Sequence, residues 1–85
     1  MITNRLIEYN CFGDYMKYIK IIRDLREDHD LTQQQVADIL GTSQTMYARY
    51  ERGANELPIR HLIMLARYYH VSCDYILGET TQKDD

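Results

Sequence analysis

The chain of 85 residues has no tryptophan, one phenylalanine, one proline, four glycines and two cysteines. Each shortage excludes something. With so little proline and glycine, and no low-complexity tract or internal repeat, the sequence is neither a linker nor a repeat array. The longest unbroken apolar run, Leu62 to Ala66, is far short of a membrane span. The opening MITNRLIEYN lacks the basic end, apolar middle and small-residue cleavage site of a signal peptide. A soluble protein of the cytoplasm, without membrane contact, is the expectation. Cys11 and Cys73 form no CxxC and no metal-ligand spacing, and a reducing compartment disfavours a bridge between them. His29, His61 and His70 make no HExxH or paired-ligand pattern and read as helix-end or partly exposed histidines. No nucleophile stands with its base, no glycine loop cradles a phosphate, and no carboxylates are paired for acid–base work. An enzyme, a metal and a cofactor are all without support.

What is present is one domain's worth of chain, long enough for a modest core without metal or crosslinks. The apolar share is 45%, part of it from eight tyrosines whose hydroxyls want partners. The formal net charge of −3 is awkward for a nucleic-acid binder, but its distribution matters more than its sum. Residues 16–70 hold eight cations against seven acids, whereas the last fifteen residues hold one cation against four acids. The acidity lies largely in the tail.

Apolar residues recur at helical spacing from Tyr15 through Tyr18, Ile19, Ile22 and Leu25 to His29, opposite Lys17, Lys20, Asp24, Glu27 and Asp28. This predicts an amphipathic helix, with Asp30 where a left-handed end residue would serve. Thr32 then reads as an N-cap and, with Gln35, as a capping box for a helix over QQQVADIL that Gly41 stops. Thr42 or Ser43 can cap a third helix, which ends at Gly53. Two helices joined by about three residues that include a glycine make a helix-turn-helix. Small residues at the approach, Ala37 and Gly41, permit a close crossing. ANELP is a loop, and Pro58 suits the first turn of a fourth helix whose stripe is Ile59, Leu62, Ile63, Leu65, Ala66 and Tyr69. Ser72 caps a short fifth helix, CDYIL, closed by Gly78. The expected class is all-α: five helices and no sheet, with helices 2 and 3 as the helix-turn-helix.

On a wheel of the third helix, at about 100° per residue, Met46, Tyr47 and Tyr50 cluster on one side. Gln44, Thr45, Ala48, Arg49 and Arg52 occupy the other, with no acid among them. Amide, hydroxyl, methyl and guanidinium groups are the inventory for reading base edges: glutamine pairs with adenine, arginine with guanine, and a methyl touches thymine. A plain solvated helix face has the same look, and the wheel alone does not separate the two.

IRDLRED at 22–28, LTQQQVADILGTSQTMYARYERG at 31–53, ELPIRHLIMLARYYHVS at 56–72 and CDYILG at 73–78 resemble the lambda-repressor-like helix-turn-helix family, also called the Cro-repressor or Xre family. The likeness covers roughly residues 16–78. It implies a compact five-helix DNA-binding domain whose third helix enters the major groove of double-stranded DNA, with homodimers on two half-sites one turn apart. Carried over by position, Ser43, Gln44, Thr45, Ala48 and Arg49 would face bases. Thr32, Gln33, Arg52, Asn55 and Arg60 would meet phosphates, Gln33 helped by the start of its helix. Arg26 and Glu51 match a pair that in many relatives forms a buried salt bridge. The implied role is a transcriptional regulator, a repressor of the phage or mobile-element kind, with an antitoxin-like module that masks a protein partner as the rival reading. The chain departs from the pattern at Ala54 and Asn55, where many relatives carry lysine or arginine, and at Tyr47, where a smaller aliphatic residue is usual. Tyr47 reads as a core filler whose hydroxyl reaches solvent or a neighbour. The dimer patch implied is Val71, Tyr75 and Ile76, residues that would equally close the monomer's core.

Residues 1–15 precede the resemblance and carry Leu6, Ile7, Tyr9 and Phe12. They read as an extra helix on the domain or on a dimer mate, as a poorly ordered segment, or as the product of a start upstream of a true one at Met16. Residues 79–85 read as a polar tail, with no room after Gly78 for a ligand-sensing module.

Overall fold

The computed structural model describes residues 16–83, so the segment before Met16, including Cys11 and the three readings of 1–15, lies outside the described residues. Five helices follow one another: α1 Lys17–Asp28, α2 Gln33–Leu40, α3 Gln44–Arg52, α4 Ile59–Tyr69 and α5 Cys73–Leu77. No strand occurs among the described residues, and none of their helices is long and apolar enough to cross a membrane.

Local chemistry sets most of the boundaries. Thr32 Oγ1 accepts from Gln35 N at 3.1 Å while Gln35 Oε1 accepts from Thr32 N at 2.8 Å, so the capping box at the start of α2 is complete. Ser43 and Ser72 cap α3 and α5 in the same way, accepting from Met46 N and Tyr75 N. Asp30 takes the left-handed conformation at φ 57°, as its place after α1 predicts. Gly53, after α3, has φ 76°, and a Cβ there would lie 2.8 Å from Ile19 Cδ1. The backbone conformation favours glycine there, and a Cβ would also have to displace the tips of the Ile19 and Met16 side chains.

Helix α2 packs on α3, α1 on both α3 and α5, and α4 on α2 and α5. The core fills the space among them: Tyr18, Ile22 and Leu25 from α1, Val36, Ala37 and Leu40 from α2, Tyr47 and Tyr50 from α3, Leu65, Ala66 and Tyr69 from α4, then Val71 and Ile76. Fully burying an aliphatic or aromatic side chain contributes about 1.5–3 kcal/mol each. Val71 is 6% exposed and Ile76 is not exposed at all, so of the suggested dimer patch only Tyr75 reaches the surface. The chain's own core takes the other two.

The fourth helix departs from expectation in its rotation. Ile59 is 74% exposed and Ile63 38%, although both were expected on the inner stripe. His61, expected to be partly exposed, is buried at 3%. The inward line is His61, Leu65 and Tyr69, spaced at i, i+4 and i+8, with Ala66 beside it. A buried histidine is possible here because the Tyr50 hydroxyl lies 3.2 Å from its Nδ1. Pro58, expected in the first turn, serves instead as the residue that caps the helix. His70 ends it in the left-handed conformation, at φ 59°, a place more often given to glycine.

Tyr47 is a core filler, but its hydroxyl reaches neither solvent nor a hydrogen-bond partner. Its ring meets that of Tyr50 edge-on at 6.2 Å. Burial, and the Glu51 carboxylate close by, push its pKa well above the ordinary phenol value. The Tyr69 hydroxyl is buried and unpartnered as well, and burial raises its pKa to about 12.

His61 gives a first expected outcome. Burial, and then the charge of Arg60, lower its pKa below the ordinary 6.5. The unfolded chain therefore binds a proton more readily than the native one. Stability from this site is full above about pH 6.5 and is lost as the pH falls toward the native value. Urea midpoints taken between pH 7.5 and 5.5 should decline, and His61→Gln should flatten that slope.

Candidate nucleic-acid interface

The outer surface of α3 collects the residues singled out for base contact. Ser43, Thr45 and Arg49 are exposed, and Gln44 and Ala48 are half-buried along the same side. Arg52 is exposed at the helix end. The one acid of this helix, Glu51, is 2% exposed and contributes no charge to the outer face.

Glu51 is held from three directions. Arg26 Nε donates to Oε2 at 2.7 Å and Arg26 Nη2 to Oε1 at 3.1 Å, a two-pronged ion pair. Gln33 Nε2 donates to Oε1 at 3.1 Å. The Glu51 backbone carbonyl accepts from Arg23 Nη2 at 2.7 Å. Burial by itself pushes the Glu51 carboxyl upward, but the hydrogen bonds from Arg26 and Gln33, the nearby Tyr47 hydroxyl and the Arg26 charge together hold it below its usual value. The third donor of Arg26, Nη1, reaches the Leu31 carbonyl at 2.9 Å and so fixes the bend between α1 and α2. One carboxylate thereby ties three helices together.

Gln33 joins this buried knot to the outer face. Gln44 Nε2 donates to Gln33 Oε1 at 2.8 Å, so the first side chain of α3 leans on the first side chain of α2. Both ends of the Gln33 amide are engaged, and one hydrogen on Nε2 is left over. Thr32 is exposed beside it, with its hydroxyl taken by the cap. At the far end of α3, Arg49 Nε donates to Asn55 Oδ1 at 2.7 Å, and the Ala54 and Asn55 amides return to the Arg49 carbonyl. Asn55 thus steadies an arginine in addition to any backbone contact of its own. Arg60 is exposed on the first turn of α4 and joins none of these groups by hydrogen bond or ion pair.

The sequence reading did not single out two of the links. Arg23 lies one helical turn before Arg26 on α1, and that i, i+3 spacing was the available sign that both cations face α3. The Gln33–Glu51 bond left no sequence sign, because it exists only once α2 and α3 are set side by side.

A protein-family model described as helix-turn-helix matches residues 22–76. The chain is 42% identical over 67 residues to the uncharacterized HTH-type transcriptional regulator YobD of Bacillus subtilis, across 79% of this chain and 60% of that protein. It is 37% identical over 60 residues to the antitoxin PezA of Streptococcus pneumoniae, across 71% of this chain and 38% of the antitoxin. It is 31% identical over 64 residues to the cryptic phage CTXphi transcriptional repressor RstR of Vibrio cholerae, across 75% and 58%. The crystal structure of a transcriptional regulator from Listeria innocua matches with a TM-score of 0.70 at 30% identity, over 74% of this chain and 59% of that one. The match spans 60% or less of the length of each of these proteins. With the capped helix pair, the acid-free outer face and these likenesses in place, the chain belongs to the lambda-repressor-like helix-turn-helix family of DNA-binding transcriptional regulators.

Proposed function

We propose that this chain is a sequence-specific repressor that binds a two-fold operator as a dimer, with α3 in the major groove. The observation that carries the reading is the outer face of α3, where Gln44, Thr45, Ala48 and Arg49 stand without an acid, two of them braced by Gln33 and Asn55. Bracing matters because a side chain already held in place loses less entropy on meeting a base. Ser43, Gln44, Thr45, Ala48 and Arg49 read base edges, while Thr32, Gln33, Arg52, Asn55 and Arg60 contact phosphates around them. The repressor sense follows the likeness to RstR. Selection of bound sites from random DNA at two salt concentrations tests the whole reading. A two-fold consensus that persists at the higher salt is expected, whereas salt-sensitive binding with no consensus defeats it.

A second reading, masking of a foreign protein, is favoured by the likeness to PezA. Such a role is compatible with operator binding and would show as a partner that co-purifies in fixed ratio.

A further inference from the structure

A groove of about 520 Å³ opens beside the start of α1. Its walls are Tyr18 from α1, Leu57 from the loop before α4, Ile59 and Leu62 from α4, and Leu77 from α5. Ile59 is 74% exposed and Leu77 38%. Neighbouring apolar groups left open to water mark contact surfaces. The space falls within the range of about 300–1,000 Å³ that takes compact ligands, and large apolar side chains fit it equally.

The place where the chain enters the fold indicates what covers this groove. The Lys17 side chain lies against Gly78, where an added Cβ would stand 2.7 Å from Lys17 Cδ, so the start of α1 adjoins the end of α5. One residue on, the Tyr18 hydroxyl accepts from Leu57 N at 3.3 Å and ties α1 to the loop wall. The chain that precedes Met16 therefore departs from the rim of the groove. Phe12 stands four residues before Met16, a span of at most about 13–14 Å. Gly13, between them, gives the backbone the freedom to reverse. Further back, RLIEYNCF at 5–12 also carries Leu6, Ile7 and Tyr9. Arg5 is the one cation of residues 1–15, and Glu56 is the one charged side chain among the described residues that line the groove. A segment tethered this closely has an effective concentration on the order of millimolar, which a separate partner seldom reaches.

We propose that residues 5–12 return to this groove of their own chain, with the Phe12 ring between Ile59 and Leu77 and Arg5 toward Glu56. The groove is then occupied from within, and a foreign protein must displace the segment to use it. The inference stands apart from the operator reading, and its test uses no DNA.

Cys11, next to Phe12, offers a site for a nitroxide spin label on the full chain, with Cys73→Ala making it the only thiol. In nuclear magnetic resonance spectra of the isotope-labelled chain, the amide signals of Leu57, Ile59, Leu62 and Leu77 should weaken under the nitroxide and return when it is reduced. Phe12→Glu and Ile59→Glu should each recover at least half of the lost intensity, since each puts a charge on one side of the contact. Circular dichroism checks that the variants are folded, and Phe12→Glu, outside the five helices, keeps the test sound if Ile59→Glu is not. A loss that either folded variant leaves unchanged comes from the tether alone and overturns the proposal. So does the absence of any loss. A mixture of isotope-labelled chain without nitroxide and unlabelled chain carrying it should show no weakening at these amides. Weakening there would put the segment in the groove of a second copy and overturn the contact within one chain.

Discussion

Replacing Glu51 by alanine is expected to destabilise the domain by about 3–5 kcal/mol, measured as a fall in the urea midpoint. The size follows from what the deletion leaves behind. The guanidinium of Arg26 is 14% exposed and would lose both of its bonds to the carboxylate, and Gln33 would lose its acceptor. An uncompensated charge in that place costs more than the pair contributes, because its desolvation is no longer offset. Small domains are stable by only about 5–15 kcal/mol, so the variant would stand near the edge of folding. Replacing both partners, Arg26→Met with Glu51→Leu, should cost less than Glu51→Ala alone. A double variant that is worse than the single one would show that the pair contributes net stability. The acid limb of the native chain carries the same signature. The native Glu51 carboxyl is held below its ordinary 4.5, so its contribution is full above about pH 4.5 and is lost as the pH falls through the native value. That window lies well below the one assigned to His61.

Arg49→Ala is expected to weaken binding to the selected operator by about 1–3 kcal/mol, or roughly 5- to 150-fold, if the guanidinium pairs with guanine in two-pronged fashion. Discrimination at that one base pair should relax while the other positions keep theirs. Gln33→Ala is the informative contrast. A residue that only holds a phosphate weakens every sequence alike. Here the Gln33 carbonyl also accepts from Gln44, so its removal should additionally blur the preference at the base facing Gln44. Fluorescence anisotropy with the consensus and with single-base variants separates the two patterns. Equal affinity of the wild type and both variants for the operator would remove these residues from the interface.

The helices were legible in the sequence where their causes are local. The Thr32–Gln35 box, the Ser72 cap, Gly41 and Gly53 are each decided within four residues, and their positions could be read directly. The pattern of Tyr18, Ile22 and Leu25 likewise fixes the inner face of α1. The rotation of α4 was not legible in this way. Its apolar residues occupy more than one face, and only contact with Tyr50 makes a histidine the inward choice over Ile59. At the candidate site the outer arc of α3 was visible as a list of residue types. The bonds that brace it join Gln44 to Gln33, 11 positions apart, and Arg49 to Asn55 in the loop, 6 apart, while Gln33 reaches Glu51 over 18, and no periodicity within one helix reports on them.

The bridge from Glu51 through Gln33 to Gln44 also has a direction. An ionised carboxylate only accepts, so the Gln33 amide must turn its nitrogen toward Glu51 and its oxygen toward Gln44. Gln44 must in turn offer its nitrogen inward, which leaves its oxygen and one remaining hydrogen to face outward. Two amides that could each sit either way round are thus set in a single sense by one negative charge inside the protein. The donor–acceptor sequence that α3 would present to a base edge under the proposed function is set from the core outward. Glu51→Gln would nearly preserve the shape of this chain while allowing it to run backward, so grammar at the surface and ionisation at the centre are one property.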